Sequence, residues 1–249
     1  ENFSRMTVVT AMGQMFYSLS IAMGILITFG SYMKDDVSIE KSTTNVEFFD
    51  TGIAVMAGLM IIPAVFSFSG GDTKTLQAGP SLMFITIPKV FASMPFGSIV
   101  GGLFFFLVLC AALTSSIALT ESAVSTFEDE LGWRRKKSVM ILAGIMLALG
   151  SLSSLGYGPL SGITIIGMSF LDFFDFLTNS VMMPIAAIAT CLLVTKVIGI
   201  DKVEAEMKKE NGTFRRKRIF VFMIRFVCPI FAAIILISSI ANAFGWISM

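Results

Sequence analysis

Long apolar stretches alternate with short polar connections along most of the chain. A stretch of roughly 20 apolar residues is long enough to cross a bilayer as a helix. The pattern predicts six spans, at about 7–33, 48–69, 97–125, 138–156, 172–199 and 217–245. The segment at about 70–96 is polar, then amphipathic, and is bounded by Pro and Gly, which is typical of a re-entrant or surface hairpin.

Composition supports this pattern. The chain is 55% hydrophobic and 14% charged, whereas soluble domains carry about 25% charged residues. We therefore predict an all-α membrane protein, with residues 1–249 forming a single transmembrane domain. A chain without His has no His-centred triad or His metal site. The three cysteines lie far apart in apolar runs, which favours buried thiols. No catalytic dyad, phosphate loop or nucleophile elbow indicates an enzyme, and a net charge of +1 gives no case for nucleic acid.

The basic residues predict the orientation. Fourteen Lys and Arg residues lie in the loops that follow odd-numbered spans, against three in the other loops and the N-terminal tail. Basic loops stay in the cytoplasm. Both ends of the chain and the hairpin are therefore expected outside the cell. The run Arg215-Arg216-Lys217-Arg218 is interpreted as a cytoplasmic anchor, with lipid binding as an open alternative.

The first span has small and polar residues at its centre, between Met12 and Gly24. An unwound stretch is tolerated in a membrane only where protein or a polar cavity satisfies its backbone. Transporters use such broken helices to present carbonyls to ions and substrates. The alternative is an unbroken helix whose small residues pack against a neighbouring helix.

The third span contains the hydroxyl run Thr114-Ser115-Ser116. Sodium is a hard cation and prefers oxygen ligands, as other hard cations do. Two hydroxyls with helix carbonyls would suit it. The alternative is that these hydroxyls bond back to carbonyls of their own helix.

Several carboxylates lie in or near the spans, and intramembrane carboxylates are by default candidates for function. They are Asp50, Glu121, Asp172 and Asp175. For the last two, a position at the membrane interface is an equal alternative. The acidic cluster 128–130 beside the basic run 134–137 is interpreted as a solvated cytoplasmic charge cluster.

Four motifs carry a resemblance to the neurotransmitter:sodium symporter family, in its bacterial amino-acid-transporting branch. They are Gly13-Gln14-Met15-Phe16-Tyr17-Ser18-Leu19-Ser20, Phe84-Ile85-Thr86-Ile87-Pro88, Ala112-Leu113-Thr114-Ser115-Ser116-Ile117-Ala118 and Phe127-Glu128-Asp129-Glu130-Leu131. The resemblance implies a LeuT-type inverted-repeat transporter with a broken first span. The six spans would match spans six to eleven of that fold. The opening Glu1-Asn2-Phe3 fits a C-terminal half.

The resemblance also implies binding residues. Ser18 and Asp50 match the first sodium site, and Ala111, Thr114 and Ser115 match the second. Each site would be only half present, the other half coming from an N-terminal half with five spans. The substrate pocket would be lined by Tyr17, Ser18, Ser20, Met23, Ser115 and Leu119.

Gates and selectivity follow from the same resemblance. Asp175 matches the extracellular gate, and Asp129 and Tyr32 match the inner gate. Because Asp50 is a fixed anion and Ala54 replaces the serine of the chloride site, chloride independence is expected. Ala22 stands where many relatives have Gly, which narrows the pocket or restricts the backbone.

The expected function is sodium-coupled symport of a small, hydrophobic amino acid by alternating access, in the plasma membrane. This chain is expected to be inactive without its N-terminal half. Two alternatives remain open: a non-transporting scaffold or receptor, and a sodium-independent amino-acid exchanger on the same fold.

Overall fold

The computed structural model describes residues 5–68, 82–209 and 213–244, and in these residues all regular secondary structure is helical. The α-helices are α1 Arg5–Ser18, α2 Ile25–Ser31, α3 Ile39–Phe68, α4 Ile87–Ala92, α5 Gly97–Leu131, α6 Arg135–Leu155, α7 Phe170–Asp175, α8 Met183–Leu192, α9 Ile200–Met207, α10 Lys217–Phe222 and α11 Cys228–Ala243. Four π-helical segments join or precede them, at Leu82–Thr86, Phe176–Met182, Leu193–Ile198 and Met223–Val227.

Five of the described helices are long and apolar enough to cross a membrane: Ile39–Ser67, Gly97–Leu131, Arg135–Leu155, Phe170–Ile198 and Lys217–Ala243. The chain is therefore a multi-pass membrane protein. The predicted first span consists of the two shorter helices α1 and α2, so the count of six spans stays a prediction.

The helix ends differ most from the predicted spans at α3, which begins at Ile39 rather than near residue 48. Hydropathy detects only the start of the apolar run. A helix can extend beyond that run into the polar headgroup region, because its backbone hydrogen bonds do not depend on apolar side chains. The predicted hairpin is helical at Leu82–Ala92, and residues 69–81 lie outside the described residues.

Three of the π-helical segments are followed by a proline. Pro88 follows Leu82–Thr86, Pro184 follows Phe176–Met182, and Pro229 follows Met223–Val227. Proline has no N–H and clashes with the carbonyl of the preceding turn. A wider π turn is one way in which a membrane helix accommodates this defect.

The chain divides into two compact units, residues 45–117 and residues 1–44 with 118–249. In the first, the hairpin helix lies against the start of α5. A Cβ placed on Gly97 would come within 1.6 Å of the Phe91 carbonyl oxygen. Phe91 packs on Phe104, with ring centroids 5.3 Å apart, and Phe84 stacks on Phe105 at 6.2 Å.

In the second unit, α8 packs against α11. Most of the residues buried on these helices are small. They are Ala187 and Cys191 on α8, beside Met183 and Pro184, and Ala232 and Ala241 on α11. Small residues let membrane helices approach closely. Many large apolar side chains elsewhere are exposed, as expected for surfaces that face lipid.

Candidate substrate and sodium site

The break in the predicted first span lies at residues 19–24, between α1 and α2. The end of α1 has the hydrogen bonds of a Schellman motif. The N–H of Ser20 donates to the Tyr17 carbonyl at 3.0 Å, and the N–H of Ile21 donates to the Phe16 carbonyl at 3.1 Å. A Schellman motif requires a left-handed residue just after the helix, and this residue is usually glycine. Here it is Ser20, with φ +54°.

The stretch after this cap is strained and has unused carbonyls. Ala22 has φ +63° and Gly24 has φ +79°. A left-handed residue other than glycine costs roughly 1–2 kcal/mol. Among the described residues, no backbone N–H donates to the carbonyls of residues 19–23. These carbonyls are available to a cation or a ligand donor.

A cavity of about 550 Å³ lies beside this break. Four predicted functional residues line it: Tyr17, Met23, Leu119 and the gate residue Asp175. Ala22 lines it too, so its methyl group faces the space that a ligand would occupy. The remaining lining residues are mostly apolar and come from α7, α8 and the π turn between them: Leu171, Phe174, Thr178, Asn179, Met182, Met183 and Ala186. Sequence reasoning did not assign this face.

A second cavity, of about 410 Å³, shares four lining residues with the first: Tyr17, Asp175, Asn179 and Met183. It is more polar, with Gln14 from α1 and Ser239 from α11 in its lining. Tyr17 and Asp175 therefore border both spaces. This position suits side chains that separate one compartment from another.

The two carboxylates of α7 have different roles. Asp172 belongs to the helix cap: its N–H donates to Ser169 Oγ at 3.2 Å, and Ser169 Oγ donates to Asp172 Oδ2 at 2.7 Å. The bond from the Asp172 N–H satisfies one of the unpaired donors in the first turn of the helix. Asp175 lines both cavities and accepts a bond from Asn179 Nδ2 at 2.5 Å.

Beyond the break, α2 lies close to α5. A Cβ on Gly24 would come within 2.6 Å of Ser122 Oγ. Thr28 Oγ1 donates to Ser122 Oγ at 3.4 Å and lies 3.4 Å from Ser125 Oγ. Thr28 and Ser122 are buried. These hydroxyls satisfy one another and attach the second half of the broken helix to α5.

The predicted inner-gate residue Tyr32 belongs to a charged cluster at the end of α2. Its hydroxyl donates to Glu121 Oε1 at 2.8 Å. The Arg135 guanidinium donates to both oxygens of Glu121, at 2.6 and 3.0 Å, and lies 3.4 Å from Glu128. A two-point Arg–carboxylate contact is among the stronger ion pairs. Sequence reasoning named Glu121 but missed Arg135, whose basic neighbours made it look like a loop residue.

Asp129, the other predicted inner-gate residue, is not part of this cluster. Its side chain is exposed and makes no ion pair within the described part of the chain. Its assignment to the gate rests on the family resemblance alone.

The residues predicted for the second sodium site lie together on α5. Thr114 Oγ1 donates to the carbonyls of Ala111 at 3.0 Å and Cys110 at 3.1 Å. The back-bonding considered as the alternative is therefore present. It also brings two of the predicted ligand oxygens to within 3.0 Å of each other. Ser115 is exposed on the same helix.

The other predicted ligands are divided between the two compact units. Ser18 ends α1 in one unit, and Asp50 lies in α3 in the other. Among the predicted pocket residues, Ser115 likewise belongs to the unit of residues 45–117. The first sodium site stays a prediction.

Comparison with known proteins identifies the family. The model of the sodium:neurotransmitter symporter family matches residues 3–245. The chain belongs to this family. The resemblance inferred from the four motifs is thus confirmed, and it groups the chain with transporters rather than enzymes.

Two curated relatives in the symporter family are described as uncharacterized sodium-dependent transporters. YhdH of Bacillus subtilis is 30% identical over 94% of this chain and 51% of its own length. The protein of Haemophilus influenzae is 32% identical over 96% of this chain and 52% of its own length. The chain therefore spans about half the length of these relatives.

A solved structure agrees with this membership. The chain resembles MhsT, determined in complex with L-phenylalanine, with a TM-score of 0.82 and 35% identity. The match covers 93% of this chain and 51% of that one.

Proposed function

We propose that the protein couples the movement of a small, hydrophobic amino acid to that of sodium by alternating access. The observation that carries this proposal is the cavity beside the broken helix. It combines apolar walls with backbone carbonyls that no N–H of the described residues uses. Apolar walls suit a hydrophobic side chain, and free carbonyls suit the substrate ammonium group.

This geometry supports specific roles for the lining residues. Tyr17 covers the pocket from the α1 side, and Met23 and Leu119 contact the substrate side chain. Ser20 contributes through its backbone, since its left-handed conformation ends α1. MhsT was determined with L-phenylalanine, which supports a hydrophobic amino acid as the substrate class here. The methyl group of Ala22 reduces the room for large side chains.

Two sodium ions are proposed as the driving cations. Ser18 with Asp50 contributes to one site, and Ala111, Thr114 and Ser115 contribute to the other. The 3.0 Å separation of Thr114 Oγ1 from the Ala111 carbonyl supports the second, because rotation of the hydroxyl hydrogen away from the carbonyl would let both oxygens face one cation. Asp50 provides a fixed negative charge, and Ala54 provides no hydroxyl for an anion, so transport is proposed to be independent of chloride.

The relatives are about twice as long as this chain, which supports an arrangement in which further sodium ligands come from an N-terminal half. Residues 1–249 expressed alone are then expected not to transport. The protein is placed in the plasma membrane, with the loops at 34–41, 134–137 and 196–218 in the cytoplasm, because their basic residues favour that side.

The test uses protein expressed from its complete gene and reconstituted in liposomes. Uptake of radiolabelled hydrophobic amino acids is measured with a sodium gradient, with choline replacing sodium, and with gluconate replacing chloride. Uptake should require sodium, ignore chloride and be inhibited by small hydrophobic amino acids. Equal uptake in choline would identify a sodium-independent exchanger. Amino-acid binding without uptake in any of these buffers would identify a receptor or scaffold.

A further inference from the structure

An arginine lies inside the last membrane-spanning helix. Arg225 is in the π-helical segment Met223–Val227 of the span that begins at Lys217. Eight residues at about 1.5 Å each place it about 12 Å along that span. A cation in the hydrocarbon layer is costly unless it is paired or its side chain reaches the headgroups.

The described part of the protein offers Arg225 no partner. Its side chain is exposed, and its guanidinium makes no hydrogen bond or ion pair with the described residues. The sequence from Thr213 to the last residue contains no Asp or Glu. The positive charge of Arg225 is therefore not neutralised by the helix that carries it.

Arg218 lies earlier in the same span. It precedes Arg225 by seven residues, which is about 10 Å along the helix axis. Its side chain is also exposed and has no partner in the described ranges. Both guanidinium groups thus lie near the start of this span without a counter-charge among the described residues.

Lys217, next to Arg218, differs from the two arginines because its charge is paired with a carboxylate. Lys217 Nζ donates to Glu204, and Lys208 Nζ lies 2.7 Å from the same carboxylate. These two ammonium groups lower the pKa of Glu204 to about 2, the bond from Lys208 having the larger effect. Glu204 is consequently occupied and does not compensate Arg218 or Arg225.

We propose that Arg218 and Arg225 bind the phosphate headgroup of an anionic membrane phospholipid. Basic residues at the end of a membrane helix attract anionic lipids by charge complementarity. Guanidinium groups hold phosphate at two points. Phe222 and Phe226 lie on the same helix, with ring centroids 6.0 Å apart, and give the acyl chains an apolar surface. The site requires only that this helix spans the bilayer and does not depend on the transported substrate.

The test measures lipid binding to delipidated protein, expressed from its complete gene, by native mass spectrometry. Phosphatidylglycerol is titrated against phosphatidylcholine. The Arg218→Gln/Arg225→Gln variant should bind phosphatidylglycerol about 30-fold more weakly. Each basic residue near the membrane surface contributes a factor of about five to the affinity for anionic lipid. Arg218→Lys/Arg225→Lys keeps both charges and should stay within about fivefold of the wild type.

A matched control removes two exposed charges elsewhere, in Lys41→Gln/Lys202→Gln. This variant should bind phosphatidylglycerol within about threefold of the wild type. An equal loss in both double variants would show general charge attraction and overturn the site. Unchanged lipid binding in the Arg→Gln variant would also overturn it. If the Arg218→Gln/Arg225→Gln variant instead melted at a lower temperature both with and without lipid, Arg225 would be paired with another protein segment. That result would also overturn the lipid site.

Discussion

The helix α5 carries two groups of hydroxyl residues with opposite environments. Towards its end, Ser122 and Ser125 meet Thr28 of α2, and the hydroxyls of Thr28 and Ser122 are buried. Earlier in the helix, the Thr114 hydroxyl donates to carbonyls of its own helix and to no other group of the described residues, and Ser115 is exposed. Hydroxyls that are satisfied by another helix stabilise the fold. Hydroxyls that are left on an exposed helix face can serve a ligand.

The sharpest test of this contrast compares Thr114→Ala with Ser122→Ala. Removing Thr114 should raise the sodium concentration for half-maximal uptake by about 10- to 100-fold, because an interaction with a charged group contributes about 1.5–3 kcal/mol. Ser122→Ala should leave sodium dependence unchanged and lower the melting temperature. The measurement is sodium-dependent uptake in liposomes together with thermal unfolding in detergent. The assignment of Thr114 to sodium binding and of Ser122 to the fold would be wrong if Ser122→Ala changed the sodium concentration for half-maximal uptake, or if Thr114→Ala did not.

Gly24→Ala tests the close approach of α2 to α5. The substitution adds a left-handed alanine and a contact of 2.6 Å with Ser122 Oγ, so a loss of about 2 kcal/mol is expected. In a Ser122→Ala background the contact disappears, and only the backbone cost of about 1 kcal/mol should remain. Thermal unfolding of the four proteins measures the difference. An equal loss of unfolding free energy in both backgrounds would mean that residue 24, which precedes α2, does not contact the Ser122 side chain.

The cluster at the end of α2 can be tested by a double-mutant cycle of Glu121→Gln and Arg135→Gln. A two-point contact that is partly exposed should give a coupling of about 1 kcal/mol, reduced by salt. The matched cycle of Glu128→Gln with Arg135→Gln should give less, since that contact is 3.4 Å rather than 2.6 Å. Unfolding at low and high salt measures both. Equal coupling free energies for the Glu121–Arg135 and Glu128–Arg135 pairs would contradict the conclusion that Glu121 is the main partner of Arg135.

The smallest effect is expected for Ala22→Gly. Glycine relieves about 1–2 kcal/mol of left-handed strain but adds about 0.4–1 kcal/mol of unfolded-state entropy. The net result should be a gain of about 0.5–1 kcal/mol, seen as a higher melting temperature. The same change removes a methyl group from the cavity lining, so uptake should shift towards bulkier substrates. A lower melting temperature would show that residue 22 is not left-handed in the protein.

Much of the candidate site could be predicted from the sequence. The polar residues between Met12 and Gly24 left a broken and an unbroken helix open, and the family resemblance implied the break. The helix does end at Ser18 and resume at Ile25. The family resemblance selected Tyr17, Met23 and Leu119, which line one cavity with Asp175. The face contributed by α7 and α8 was missed. Apolar residues in a span do not reveal which neighbour they face, because every side of a membrane helix is apolar.

The sequence by itself determined that this protein spans a membrane, belongs to a sodium symporter family and interrupts its first span. Apolar length and local motifs encode these properties, since bilayer thickness and backbone satisfaction act on each segment separately. Only the tertiary structure decided that Arg135 pairs with Glu121, that Asp175 borders the cavities, and that Gly24 approaches Ser122. These contacts depend on distances between side chains on different helices or in different turns, which hydropathy and spacing do not specify.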